Sequence, residues 1–540
     1  MTIQQPKLSA IRLQVMWTRL MAVAEEQAQT LVRAAFSPVV RESADLSAGI
    51  FDVEGRMLVQ AVTGTPGHVN TMARSVSYFL ETFPAETAEE GDVYVTNDPW
   101  QGTGHLNDFV VVTPWFHRGR LVAYFACTAH MTDVGGIGLS PGGTDLYMEG
   151  VLVPLMKLVE GGRLNQAMLT IVKANSRKSS EIEGDIHSLI ASNQAAGQRL
   201  SELLDEVGAP DLKLLGEYII ETSRAAVLER IRALPKTEAH HTMVIDGYEA
   251  PVSLSVAIKV TDDGIDVDWS GSSPASRFGI NVPLNYTAAY SCYALTCAIA
   301  PDVPNNHGSL SVYNVTAPRG SILRAEWPQP VSCRHVVGLL IPDAVFGAFD
   351  KIVPGVAPAE SCSAHWTLTF RGQGRTEPFI ISIITTGGCG ARPGLDGLSA
   401  TSFPSKVKAS SVEIVEAATP LVFWKREFWC GSGGDGEARG GLGQDMVVGS
   451  LGGHPYTLYA AFDRMEHPAA GRAGGGPGAA GELHLGSGKR LPGKGAFEIP
   501  ADERLFVRTP GGGGNGEPGR RSAEARAADR SAGYVPSDPA

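Results

Sequence analysis

The 540-residue chain has no Cys-x-x-Cys pair, and its seven cysteines are scattered and odd in number. A disulfide framework or a zinc knuckle needs tighter pairing, so reduced thiols in a cytoplasmic setting are expected. No apolar run is long enough to cross a bilayer. The opening residues show no short apolar core after positive charge, so no secretory leader is expected and a membrane is not a partner. Basic blocks are also missing, and the net charge is −12. Phosphate backbones are bound by clustered Lys and Arg, so nucleic acid is not expected as a partner either. There is no G-x-x-x-x-G-K-[ST]; "GSGKR" at 486–490 lacks the earlier glycine and the Ser/Thr, which excludes a P-loop.

The length exceeds a usual single domain, and 43% hydrophobic with 19% charged residues is ordinary for a globular chain. Helical spacing over 8–36, two short strands around Glu54-Gly55, a helix over 69–83 and β-type runs at 93–95, 109–116 and 121–127 open the chain. Two polar, amphipathic helices are expected over 175–206 and 210–233. Strands follow at 242–247, 251–260 and 264–269, a helix near 283–299, and strands at 309–316, 364–371, 378–385 and 411–416. Glycine rises sharply from about 430, as in "GSGGDGEARGGLG" and "TPGGGGNGEPG". That block reads as turns with a few short strands, at 456–462 and 504–507, before a short helix and a loose tail. The fold class is therefore α+β: a multi-domain chain with antiparallel and mixed sheets. Expected divisions are 1–235, 236–430 and a glycine-rich 431–540.

"GTGHLNDFV" (102–110) places His105 and Asp108 three apart at the start of one β-run. "TAHMTDVGG" (128–136) places His130 and Asp133 three apart at the end of the next. The runs are joined by "HRGR" (117–120), a short glycine-bearing link that signals a hairpin. With the turn centred near Arg118-Gly119, Asp108 falls opposite about Ala129 and His130 opposite Asn107. His105, Asp108, His130 and Asp133 thus meet at the open end, where neighbouring strands lie about 5 Å apart. Two imidazoles with one or two carboxylates suit Zn, Mn or Fe(II) better than Mg, Ca or Cu(I). With 13 histidines in the chain, a lone His-x-x-Asp also arises by chance, so it is the pairing that carries weight.

The run "NDPWQGTGHLND…VVVTPWF…LVAYFACTAHMTDVGG" resembles the hydantoinase B/oxoprolinase family. "RESADLSAGIFDVEGRM", "YMEGVLVPLMKL", "GINVPLNYTAAY", "GGCGARPGLDGLSAT" and "TPGGGGNGEP" resemble it in the same order. The family comprises metal-bearing subunits or domains of ATP-dependent hydantoinases, 5-oxoprolinase, caprolactamase, and acetone and acetophenone carboxylases. The resemblance implies metal ligands at His105, Asp108 and His130 and adds Asp45 of "RESADLS" as a fourth. It leaves Asp133 beside the metal or as a proton carrier. Thr103 stands where a second glycine is usual.

The resemblance also implies a hydantoinase-A-type ATPase subunit as partner in a hetero-oligomer. This ATPase binds ATP and phosphorylates a carbonyl or amide oxygen of the substrate. The metal-bearing subunit then completes hydrolysis of a cyclic amide, or, in the alternative, carboxylation of a ketone. A stand-alone metallohydrolase and a metal-free structural subunit are the further alternatives. Asp133 and His68 of "TPGHVN" are the candidate proton carriers; a hydrogen-bonded structural histidine is the other reading of His68. Asp98 is an orienting carboxylate or a turn residue, and Trp100 and Tyr147 line a pocket or fill the core. "TPGGGGNGEP" reads as structural turns, and the glycine-rich block as a docking surface for the ATPase.

Overall fold

The computed structural model describes residues 9–363, 365–374 and 377–536. Residue 8 of the first expected helix, residue 364 of an expected strand and the last four residues of the tail lie outside them. The first layer is a seven-stranded antiparallel sheet of β1 (Leu46–Phe51), β2 (Met57–Gln60), β3 (Val93–Thr96), β4 (Asp108–His117), β5 (Arg120–His130), β6 (Met156–Glu160) and β7 (Arg163–Leu164). Its order is β2-β1-β5-β4-β3-β6-β7. The central strands are buried on both faces, so β1 and most of β4 and β5 read as near-continuous apolar runs. On one face lie the helices Ala10–Ala34 and Ser179–Val207, packed on Ile50, Val111, Phe125 and Cys127. The other face is covered by the helix Pro66–Thr82, whose Val69, Met72, Val76 and Phe79 meet Tyr94, Val110, Val112 and Tyr124.

The β4–β5 hairpin turns on Arg118 and Gly119, at φ 52° and 75°. Two consecutive positive φ values match the tight turn that suits the strand twist. From that turn His117 pairs with Arg120 and Phe116 with Leu121, but a bulge at Val122 then moves the register, and Trp115 pairs with Ala123. One extra residue in one strand shifts every later pair by one. Asp108 therefore lies directly opposite His130, not opposite Ala129 as the turn alone predicts. The shift also puts the two side chains on the same face, the one covered by Pro66–Thr82.

The second layer contains β8 (Glu238–Ile245), β9 (Val252–Val260), β10 (Ile265–Asp268) and β11 (Tyr313–Thr316), in the order β11-β10-β9-β8. The β10–β11 pair is parallel, so this sheet is mixed. The helices Leu284–Ile299 and Ile341–Ile352 share its core around Trp269, Leu295 and Phe349. The expected strand over 309–316 is a short helix, His307–Leu310, followed by β11. Asn306 caps that helix reciprocally with Ser309, which sets the helical start.

The remaining strands are β12 (His365–Gln373), β13 (Pro378–Thr386), β14 (Leu421–Phe428), β15 (Gln444–Ser450), β16 (Tyr456–Ala461), β17 (Glu482–Leu485), β18 (Lys494–Ile499) and β19 (Leu505–Arg508). They form two four-stranded sheets, β13-β12-β16-β18 and β14-β15-β19-β17, around Trp366, Phe370, Met446, Leu458 and Val507. Both sheets take strands from either side of residue 430, so the expected boundary there is corrected: strand pairing crosses it. The expected strand at 411–416 is a helix, Val412–Ala418, with only Val415 buried. In so short a run, alternation and helical spacing place the same apolar residues.

One of the glycine-rich segments is buried backbone. Residues 511–515 are all buried. Gly512 N donates to Gly441 O at 3.0 Å, Gly441 N to Cys389 O at 2.8 Å and Gly434 N to Gly512 O at 2.9 Å. A Cβ on Gly512 would lie 2.0 Å from Cys389 O, so only glycine permits this approach. Backbone groups that would be costly to bury unpaired are satisfied by one another across the layer.

Candidate metal centre

Four local devices bring the site together. Asp108 is the first residue of β4 and His130 the last of β5. Met131 N donates to Asn107 O at 2.7 Å, so the adjacent Asp108–His130 pair is of the non-hydrogen-bonded kind, in which side chains stand closest. His105 sits in the turn before β4. Asp45 precedes β1, the neighbour of β5, and His130 N donates to Asp45 O at 3.1 Å. Ala44 beside it has φ 53°, a conformation that costs a residue with a Cβ and fixes where the chain enters β1.

His105 Nε2 lies 2.8 Å and His130 Nδ1 3.0 Å from the same oxygen, Asp108 Oδ1. The three residues are buried, and their ligand-type atoms all lie within 4.8 Å of one another. The second oxygen, Oδ2, is occupied otherwise: Arg334 donates at 2.6 Å, the Thr103 hydroxyl at 2.7 Å, and His68 Nε2 lies at 3.0 Å. The carboxylate is thus divided, one oxygen held by protein donors and the other turned to two imidazoles.

The tautomer of His105 decides what this arrangement asks for. Its Nδ1 is 2.8 Å from Ser332 O, and a carbonyl only accepts, so Nδ1 carries the proton. Burial first, then Arg334, pushes His105 down to about 4, which leaves it neutral near pH 7. Asp108 is held well below the usual carboxylate range; burial opposes this and is outweighed by its cationic neighbours His68 and Arg334, without any charge on His105. A lone pair on His105 Nε2 therefore faces an ionised oxygen, and a cation between them resolves the repulsion. The Nδ1–H to carbonyl contact is also the usual way a metal-binding imidazole is oriented. The donor set fits a divalent transition metal.

Asp45 and His68 line the cavity beside this triad. Asp45 Oδ1 is 3.6 Å from His68 Nδ1, and that nitrogen is buried without a hydrogen-bond partner. His68 lies inside the helix Pro66–Thr82, not ahead of it, because Pro66 is already a helical residue. Burial works against charge on His68, but Asp108 and Asp45 outweigh it and raise its pKa.

Asp133 is not brought into the cavity. Its carboxylate accepts from Arg177 Nη1 at 2.6 Å and from Arg177 N, and Gly135 N lies at 3.4 Å. Asp98 makes a turn, accepting from Trp100 N at 2.8 Å. Trp100 is half-buried in a separate surface pocket and Tyr147 is 72% exposed.

Sequence reasoning missed the far wall. Arg334, 2% exposed, also donates from Nε to Thr103 O at 2.8 Å and stacks over Tyr286, 4.1 Å from the ring centre. His335 and His365 line the same cavity, their rings stacked at 5.7 Å. Arg334 stands 226 residues from Asp108 in sequence, and "SCRHVVG" carries no spacing that ties it to "GTGHLND". The site is therefore not confined to residues 1–235.

Residues 9–518 match the family model described as hydantoinase B/oxoprolinase. The chain is 26% identical over 563 residues to the B component of a putative D-/L-hydantoinase of Pseudomonas sp., covering 98% of this chain and 93% of that protein. It is 28% identical over 544 residues to a 5-oxoprolinase of Pestalotiopsis fici, covering 95% of this chain but only 42% of that protein. The chain thus spans about two fifths of that relative's length. The crystal structure of ATP-dependent caprolactamase from Pseudomonas jessenii superposes with a TM-score of 0.91 at 23% identity, over 98% of this chain and 95% of that one, which shows a shared fold. The chain belongs to the hydantoinase B/oxoprolinase family.

Proposed function

We propose that this chain is the metal-bearing subunit of an ATP-dependent cyclic-amide hydrolase, completing hydrolysis of a substrate that a partner ATPase subunit has phosphorylated. The observation that carries the reading is the convergence of His105 Nε2 and His130 Nδ1 on Asp108 Oδ1 in a buried, cavity-lining site. The names of the relatives support the substrate class and the dependence on ATP.

His105, Asp108 and His130 would hold a divalent Zn, Mn or Fe ion, with Asp45 as fourth ligand from the cavity wall. Such an ion supplies Lewis acidity toward a carbonyl or phosphoryl oxygen and acidifies water. The chain's own residues supply the rest. Arg334 and Thr103 orient Asp108 and keep it ionised. Ser332 O fixes the His105 tautomer. Asp108 and Asp45 favour the protonated form of His68, with Nε2 against Asp108 and Nδ1 toward Asp45, and His68 is the proton carrier of this reading. Asp133, tied to Arg177, serves the loop.

The experiment is reconstitution with a hydantoinase-A-type ATPase. Hydrolysis of hydantoin or ε-caprolactam that requires both subunits and ATP supports the proposal. ATP turnover that instead needs bicarbonate and a ketone assigns the carboxylase alternative, and hydrolysis without ATP or partner assigns a stand-alone hydrolase.

A further inference from the structure

A surface pocket of about 280 Å³ lies apart from the metal cavity and shares no lining residue with it. Arg74 and Tyr78 reach it from one face of the helix Pro66–Thr82, Trp100 from the loop ahead of β4, and Arg324 and Trp327 from the segment after β11. Trp100 Nε1 donates to Ala325 O at 2.8 Å, which fixes the indole. The rings of Trp100 and Trp327 meet at 62° with their centres 5.3 Å apart. Trp327 is 47% exposed, and Tyr147, 72% exposed, stands edge-on to it at 6.1 Å. Large apolar faces are thus left in water where a flat ring can lie on one indole and turn its edge to the other.

The pocket also holds two cations without a counter-charge. Among the described residues neither Arg74 nor Arg324 is ion-paired. The exposed Arg74 guanidinium has no hydrogen-bond acceptor there, and Arg324 makes one bond, from Nη1 to Ala317 O at 3.0 Å. Glu326, the carboxylate of the lining, lies 3.5 Å from Arg319 outside the pocket. In a chain of net charge −12, two such guanidiniums in one concavity mark a place for an anion. Their planar forks match a carboxylate or a phosphate.

We infer that this pocket binds a planar aromatic anion, a single ring carrying a carboxylate or a phosphate. Its volume lies just under the usual range for ligand pockets, which suits one substituted ring and not a nucleotide. The site stands independently of the metal centre and of the proposed hydrolysis.

The test is calorimetric titration of the full chain with benzoate and phenyl phosphate. Cyclohexanecarboxylate, which lacks the flat ring, and benzyl alcohol, which lacks the charge, are the controls. Wild type is expected to bind an aromatic anion at one site per chain, roughly fivefold or more tightly than either control, and the tighter of the two assigns the anionic group. Trp327→Ala and Arg74→Met change exposed side chains and should retain the fold, weakening binding by roughly tenfold and by a few fold. Arg324→Met should weaken it by roughly tenfold; it also frees Ala317 O, so where it fails to fold the other two variants carry the comparison. Trp424→Ala, at an exposed tryptophan elsewhere, should bind as wild type does. No binding by wild type, equal binding of either control, or unchanged binding in folded Trp327→Ala or Arg74→Met overturns the inference.

Discussion

Asp108 and His130 are direct partners across the β4–β5 hairpin, with His130 Nδ1 3.0 Å from Asp108 Oδ1. Their pairing depends on the bulge at Val122, which converts the register set by the turn into the one that places both on the helix-covered face. The convergence of the three side chains is thus a consequence of strand geometry several residues away from them.

The ligand assignment predicts that His105→Ala and Asp108→Asn each retain the fold but lose stoichiometric metal, with affinity falling at least a hundredfold. Mass-spectrometric metal analysis beside circular dichroism reads both quantities. A variant that keeps one ion per chain contradicts the ligand role.

Arg334 is buried against Asp108 at 2.6 Å. Removing one partner strands the other charge, which typically costs about 3–5 kcal/mol. Arg334→Met in the metal-free protein is expected to lower unfolding stability by that amount in a urea titration. The same variant in metal-loaded protein should lose less, because the ion also compensates Asp108. Equal losses in both states would contradict the charge-balancing role.

Glu149 acts at one remove. Its Oε1 accepts from Val331 N at 2.7 Å and Ser332 N at 2.9 Å, which fixes the carbonyl that holds His105, and its Oε2 has no partner. Burial pushes this carboxyl up to about 8. A raised folded pKa means the native state binds the extra proton, so its contribution is complete below about pH 4.5 and is lost as pH rises through about 8. Stability should therefore fall across that window, by at most about 5 kcal/mol, and Glu149→Gln should flatten the slope. Thermal unfolding between pH 5 and 8.5 checks this; an unchanged slope in the variant would contradict it.

The glycine layer predicts intolerance of the smallest side chain. Gly512→Ala would press a Cβ to 2.0 Å from Cys389 O, where neither backbone yields cheaply. A loss above about 4 kcal/mol, or failure to fold, is expected, whereas Gly519→Ala, with open space around its Cβ, should be near neutral. Denaturant midpoints of the two variants make the comparison.

The parts of this architecture legible in sequence are local. The hairpin could be read from "HRGR" between two β-type runs, and with it the nearness of His105, Asp108 and His130. The one-residue register change could not, because nothing in "LVAYF" marks Val122 as a bulge. Asp45 came from family resemblance alone, since spacing does not reveal that β1 lies beside β5. Arg334, His335 and His365 stayed hidden because contacts between layers leave no period in the chain. Glycine runs were read as turns because flexibility is their commoner meaning; here closeness of backbones, at Gly388, Gly441 and Gly512, is what requires them.

The central claim is that the buried His-Asp-His convergence is a metal centre. Anomalous diffraction from crystals of purified protein, collected on either side of the Zn, Mn and Fe edges, tests it most directly. The account predicts one edge-dependent peak per chain within bonding distance of His105 Nε2, His130 Nδ1 and Asp108 Oδ1. No peak there after metal loading, or a peak held by other residues, would contradict it.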